Sequence, residues 1–202
     1  MSHDVHSDYR GMYRIDSLYF DDYQNQSMFD KLAGIHDRFR YRIRSYNLSE
    51  KNMRIEKKVR KAEFVKKIQF KINLNTYQHL LSNDIVNLGA NGFWNQFAIE
   101  QRTKLLKPKV IVTYDREAFT FKGTSIRITF DKNLRLRTGE LDIFKNPEKE
   151  WLVFKDERMI LEIKYTNYLP SILRDALQTQ SHQRFAISKY TLCMMELAKF
   201  QQ

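Results

Sequence analysis

The 202-residue chain has one cysteine, three prolines and six glycines, and each scarcity excludes something. A lone Cys193 cannot close an intramolecular disulfide, which fits a reducing compartment, and its setting in Leu192-Cys193-Met194-Met195 reads as a buried thiol on a helix. With so little glycine and proline there is no flexible linker, and no low-complexity tract or repeat divides the chain, so residues 1–202 read as one domain. No apolar run approaches the roughly 20 residues that span a bilayer. The opening Met1-Ser2-His3-Asp4 lacks the apolar core of a signal peptide, and a cytoplasmic location is expected. The five histidines show no ligand spacing such as a helical His-x-x-x-His, which leaves them surface or structural roles.

Apolar side chains are not scarce. Hydrophobic residues make up 42%, with 14 Phe and 11 Tyr, enough to build a core. Against this stands a formal charge of +11, from 35 Lys and Arg against 24 Asp and Glu. Such a surplus favours an anionic partner, whether nucleic acid, a phosphate chain or an acidic membrane surface.

Two-residue alternation marks strands over Met12–Phe20, Arg38–Tyr46, Met53–Lys61, Glu63–Ile72, Lys109–Phe121, Thr124–Asp131, Leu134–Arg137, Leu152–Phe154 and Met159–Tyr165. Gly123 in Phe121-Lys122-Gly123-Thr124 reads as a hairpin turn. Helices are expected near Asn25–Leu32, Asn75–Leu81, Gly92–Leu105, Leu169–Gln178 and Ser188–Phe200, and Asp21-Asp22 as the turn or cap before the first of them. Many strands with a few helices imply an α+β fold, an antiparallel sheet or barrel with peripheral helices.

The strands carry their charge on one side. In Arg38-Phe39-Arg40-Tyr41-Arg42-Ile43-Arg44, every even position is arginine and every odd one apolar or aromatic. Arg54, Glu56, Lys58 and Arg60 share a face of the next strand; so do Tyr114 and Arg116, Arg127 and Asp131, and Glu162 and Lys164. One such strand is an ordinary solvated sheet face. Several together are not, because like charges on neighbouring strands repel and solvated faces normally mix signs. If the sheet closes, the cations line a lumen while Phe, Tyr, Ile and Val pack outside. Arginine suits a phosphate ligand, since its planar fork binds two oxygens and stays charged.

Glu56 and Glu162 bring negative charge into this cationic face. Each is either an ion-pair partner or a ligand to Mg²⁺ or Mn²⁺, hard cations that take one or two carboxylates together with substrate phosphates. Trp94 and Trp151 lie outside the charged strands, and nothing ties either to a nucleotide base. A single-strand nucleic-acid binder would place aromatics beside its cations. Here Phe39 and Tyr41 lie opposite Arg40 and Arg42, so no nucleic acid is expected.

At Ser17-Leu18-Tyr19-Phe20-Asp21, Arg42-Ile43-Arg44-Ser45-Tyr46, Glu56-Lys57-Lys58, Tyr114-Asp115-Arg116-Glu117-Ala118-Phe119, Ile126-Arg127-Ile128-Thr129-Phe130-Asp131, Leu161-Glu162-Ile163-Lys164-Tyr165 and Ser188-Lys189-Tyr190, the chain resembles the VTC domain, the polyphosphate polymerase module of the triphosphate tunnel metalloenzyme (CYTH-like) superfamily. The resemblance implies a tunnel of antiparallel strands that takes ATP and inorganic polyphosphate and transfers the γ-phosphate to the chain, dependent on Mn²⁺ or Mg²⁺. It implies Arg42, Arg44, Lys58, Arg116 and Arg127 as catalytic. Those five with Lys66, Tyr114, Lys164, Ser188 and Lys189 would bind phosphate, and Glu162 would hold the metal, with Glu56 the second carboxylate that the charged face itself offers.

The sequence departs from the family in two places. Ala186 stands where a basic residue usually precedes the Ser-Lys pair, with Arg184 the nearest substitute. The family's opening strand and helix, upstream of the Ser-Leu-Tyr-Phe-Asp segment, are expected to be missing, leaving a groove with two unpaired edges. Hydrolysis of triphosphate on the same fold, or polyphosphate binding without catalysis, are the alternatives, and association with a membrane protein is compatible with each.

Overall fold

The computed structural model describes residues 2–3, 11–84, 91–146, 150–166, 168–177 and 186–200. Arg184, His6 and His182 lie outside the described residues. The described strands are β1 (Ser2–His3), β2 (Met12–Asp21), β3 (Arg38–Tyr46), β4 (Met53–Lys61), β5 (Phe64–Ile72), β6 (Lys107–Thr120), β7 (Arg127–Arg137), β8 (Trp151–Leu152) and β9 (Ile160–Lys164). The described helices are α1 (Gln26–Leu32), α2 (Leu74–Leu81), α3 (Gly92–Lys104), α4 (Ser171–Leu177) and α5 (Lys189–Lys199).

All strand pairs are antiparallel, in the order β5-β4-β3-β2-β6-β7; β9 and β8 pair with successive parts of β7, and β1 with the end of β6. Gly123, at φ +77°, makes the β6–β7 turn, where Phe121 N donates to Ile126 O at 3.2 Å. Between β3 and β4 the left-handed pair Asn47 and Leu48 reverses the chain, and Ser49 N donates to Tyr46 O at 3.0 Å.

The two strands expected over Thr124–Asp131 and Leu134–Arg137 are one. Asn133 at φ +51° and a register shift between Thr113 and Asp115 form a bulge, which inverts the alternation inside β7 without ending it.

Alternation sorts the sheet into two faces with separate cores. On the back face Leu18, Phe20, Tyr41, Ile43, Met53, Ile55 and Ile111 pack against Tyr77 and Leu80 of α2 and Phe93, Trp94 and Phe97 of α3. Phe97 meets Tyr41 edge to face at 4.8 Å and Phe20 at 5.8 Å. Burying each such side chain contributes about 1.5–3 kcal/mol. α3 is held at its start by Asn91, whose side chain accepts from Phe93 N and Trp94 N, both at 3.1 Å.

On the opposite face α5 covers part of the sheet. Tyr190, Cys193, Met194 and Leu197 join Ile15, Val112, Tyr114, Leu134 and Leu136, with Met28 of α1 at the edge of the cluster. Cys193 is the expected buried thiol. Asp21 and Asp22 make the turn into α1: Asp22 Oδ1 accepts from Gln26 N at 2.9 Å, and Asp21 Oδ1 from Ser27 N at 3.0 Å.

The sheet is curled like an incomplete barrel, as expected, and among the described residues it is open between β5 and β9. Twist brings those two edges round without pairing them. The curl is deep, for Val65 and Lys67 of β5 line the same cavity as Glu162 and Lys164 of β9.

Candidate functional site

The part of the concave face that α5 leaves uncovered is a cavity of about 540 Å³. Its walls carry eleven lysines and arginines against two glutamates. β3 contributes Arg38, Arg40, Arg42 and Arg44; β4 Glu56, Lys58 and Arg60; β5 Lys67; β6 Tyr114 and Arg116; β9 Glu162 and Lys164. α1 adds Lys31, and Ala186–Lys189 bring the start of α5 to the rim.

Arg42 and Lys67 converge on Glu56. Arg42 Nη2 lies 2.5 Å and its Nε 2.6 Å from Oε2, and Lys67 Nζ lies 2.6 Å from Oε1. Burial pushes this carboxyl up, but Arg42, Arg44 and Lys67 outweigh it and hold its pKa at about 2. Arg42 itself is raised: burial opposes, and Tyr19 and Glu56 prevail over the repulsion of Arg44.

Arg44 is 9% exposed, and among the described residues its side chain donates to Tyr46 Oη at 3.4 Å. Its Nε is buried with no hydrogen bond, as is that of Arg40. Arg40 otherwise donates to Ser188 Oγ at 2.8 Å and Ser27 O at 3.0 Å, and its guanidinium lies 4.4 Å from the centre of the Tyr190 ring. Burial lowers Arg40, and burial with the charge of Arg42 lowers Lys58. Lys58 on β4 also senses Glu162 and Lys164 on β9, a measure of how far the sheet curls.

On the other wall Asp131 is 1% exposed and shared by two cations. Arg116 reaches it at 2.6 and 2.8 Å, and Lys189 Nζ at 2.6 Å. Burial raises the Asp131 carboxyl, yet the Arg116 hydrogen bonds and the Lys189 charge hold it below its ordinary value. Asp131 thereby fixes Arg116 and ties the α5 N-terminus to β7. Ser188 caps that helix, its Oγ accepting from Thr191 N at 3.3 Å.

Most residues expected from the sequence meet here: Arg42, Arg44, Lys58, Tyr114, Arg116, Lys164, Ser188, Lys189, Glu56 and Glu162 all line the cavity. Two do not. Lys66 pairs with Val59, on the back face and exposed, whereas Lys67 pairs with Lys58 and faces inward; β5 shows no charge alternation from which to read its phase. Arg127 is on the concave side but beyond the cavity lining, opposite Lys164, where it donates to Tyr13 Oη at 3.0 Å.

Arg38, Arg40 and Arg60 were visible in the sequence as members of charged rows, though not singled out as ligands. Lys31, on a short helix without a charge period, gave no signal.

The two glutamates differ in what they can do. Both oxygens of Glu56 are bonded to cations, which places it as an ion-pair partner where the sequence allowed a metal ligand. Glu162 is 40% exposed at its side chain, with Lys164 at 3.2 Å and Arg116 at 3.7 Å, and its carboxylate opens on the cavity. Burial raises it, and Lys164, Lys189 and Arg116 together hold it lowered. Among the described residues no three His, Cys, Asp or Glu gather as a metal cage. One half-exposed carboxylate among these cations fits a hard divalent ion that would arrive with anionic oxygens of its own, and does not fit an all-protein site.

Among the described residues no helix is long and apolar enough to cross a membrane. No curated protein matches the chain in sequence. Among solved structures, a predicted adenylate cyclase from Bacillus halodurans is similar at TM-score 0.44 and 11% identity, over 63% of this chain and 62% of that one. The PH1819 protein of Pyrococcus horikoshii OT3 is similar at TM-score 0.48 and 13% identity, over 95% of this chain and 85% of that one. Neither likeness carries an argument. The VTC domain model matches residues 1–198, and with the motifs gathered around this cavity the chain belongs to the VTC domain family.

Proposed function

We propose that this protein binds a nucleoside triphosphate and inorganic polyphosphate in the cationic cavity and transfers the γ-phosphoryl group of ATP to the end of the polyphosphate chain. The observation that carries this is the imbalance of eleven cations and two carboxylates around one cavity, with buried arginine Nε atoms left unpartnered. Buried donors without acceptors and like charges without counter-ions are both costly, and a chain of phosphates relieves both.

Phosphoryl transfer asks mainly for alignment and charge neutralisation. Arg42 and Arg44 on one wall and Arg116 and Lys189 on the other grip non-bridging oxygens, and Lys58 adds point charge between them. A terminal oxygen of polyphosphate attacks the γ-phosphorus as the bridging bond to the β-phosphate breaks, and ADP leaves. Fixed guanidinium groups hold the reacting oxygens in line and stabilise the charge that spreads over the transferring group. Glu162 is the residue that would hold Mg²⁺ or Mn²⁺, which supplies further neutralisation of the triphosphate oxygens when bound.

Incubation with ATP and Mn²⁺, read on a polyphosphate gel beside a free-phosphate assay, tests the reading. Long chains support polymerisation; free phosphate alone makes the protein a triphosphate hydrolase. The open side between β5 and β9 favours a second reading, a polyphosphate-binding module, and retention of polyphosphate without ATP turnover identifies it.

A further inference from the structure

The segment Ser17-Leu18-Tyr19-Phe20-Asp21 runs along the edge of the site, and the structure divides its work. Leu18 and Phe20 belong to the back-face core, and Asp21 anchors α1 and accepts from the Tyr190 hydroxyl. Ser17 is fully buried and does not line the cavity. Tyr19 does line it.

The phenol oxygen of Tyr19 accepts from Arg42 Nη1 at 3.0 Å. Arg40 and Arg42 hold their guanidinium carbons 5.9 and 5.8 Å from its ring centre, and the Tyr190 ring packs against it at 5.0 Å. A phenol that accepts from arginine keeps its own O–H for donation. Among the described residues no acceptor takes that proton.

We propose that Tyr19 is an anion-contacting residue: its hydroxyl donates to an oxygen of the phosphate gripped by Arg42 and Arg44, while Arg42 stays anchored on the phenol oxygen. The proposal rests on the phosphate reading of the cavity. Burial raises the Tyr19 phenol, but Arg42, Arg44 and Arg40 outweigh it and leave it below its ordinary value, which makes the O–H a better donor. Packed between Tyr190 and two guanidinium groups, the ring cannot swing away. It gives the anion one fixed, uncharged donor among charged ones.

The test compares wild type, Tyr19→Phe and Arg44→Ala for binding of tripolyphosphate by calorimetry, with thermal unfolding of each protein without ligand. Tyr19→Phe removes one oxygen and keeps every ring contact. The expected result is an affinity weakened roughly tenfold or more, the loss of a hydrogen bond to a charged group, at a nearly unchanged unliganded melting temperature. Wild-type affinity in Tyr19→Phe with loss in Arg44→Ala overturns the Tyr19 proposal and leaves the phosphate reading standing. Wild-type affinity in both overturns the phosphate reading, and this proposal with it.

A second measurement does not depend on affinity. The tyrosine difference absorption produced by tripolyphosphate should persist in Tyr114→Phe and fall away in Tyr19→Phe; no change between Tyr19→Phe and wild type counts against the contact.

Discussion

Arg42 and Arg44 sit two residues apart on one strand, yet their surroundings predict different consequences for their removal. Arg42 is matched by Glu56, so Arg42→Ala leaves a buried carboxylate with Lys67 as its remaining ion-pair partner. Among the described residues Arg44 makes one long side-chain hydrogen bond and keeps an unpartnered Nε, while its charge helps to hold Glu56 ionised. Arg44→Ala should therefore lower the urea midpoint less than Arg42→Ala does while losing affinity for tripolyphosphate, and a larger drop than in Arg42→Ala with intact binding would contradict this.

Glu56 carries a pH prediction. Its folded pKa of about 2 lies below the ordinary 4.5, so its ion pairs stabilise the protein fully above the unfolded value and are lost as pH falls toward 2. The difference of 2 from 4.5 corresponds to about 3 kcal/mol. Glu56→Gln should be less stable than wild type by about that amount at pH 7, with the gap closing between pH 4.5 and 2 in urea denaturation.

Among the elements, α5 links the concave-face core to the cavity. Its body fills the concave core and its N-terminus reaches the cavity, where one hydroxyl, Ser188 Oγ, both caps the helix and receives Arg40. Ser188→Ala should cost about 1 kcal/mol of stability from the lost cap. It should also weaken tripolyphosphate binding, because Arg40 loses the hydroxyl that holds it; Ser188→Thr should restore both, as read by denaturation and calorimetry.

The elements also mark how much was legible beforehand. β3 and β4 have the bounds expected from their alternation, because each buries one face and charges the other, so period and register point the same way. β7 looks like two strands in the sequence because a bulge mimics a break in the period. Lys67 was out of reach for a related reason. Five of the six residues from Phe64 to Gln69 are exposed, and an edge strand wetted on both faces keeps no hydrophobic phase to say which lysine points inward. The pairing of Lys189 with Asp131, across 58 residues of sequence, comes from the docking of α5 on β7, which no local pattern encodes.

For the whole molecule, the surplus charge is concentrated rather than spread. Much of the formal +11 stands around one cavity, so binding of tripolyphosphate should weaken steadily as salt is raised from low to physiological strength. At a free concentration of a hundred dissociation constants the ligand should stabilise the fold by about 2.7 kcal/mol, seen as a higher melting temperature. Lack of both effects would mean that the cations are already satisfied within the protein.

The two cores on opposite faces of one sheet have a consequence for how such a domain can change over time. The back-face core, with α2 and α3, anchors the strands without help from the cavity walls, and α5 covers only part of the other face. Folding and ligand choice are thus written on alternate residues of the same strands. Arg42 is tied to the fold through Glu56, but cations on β3 and β4 without such a partner can be exchanged, added or lost at less cost to folding than residues of either core, so anion preference is free to drift in a lineage that keeps the same sheet.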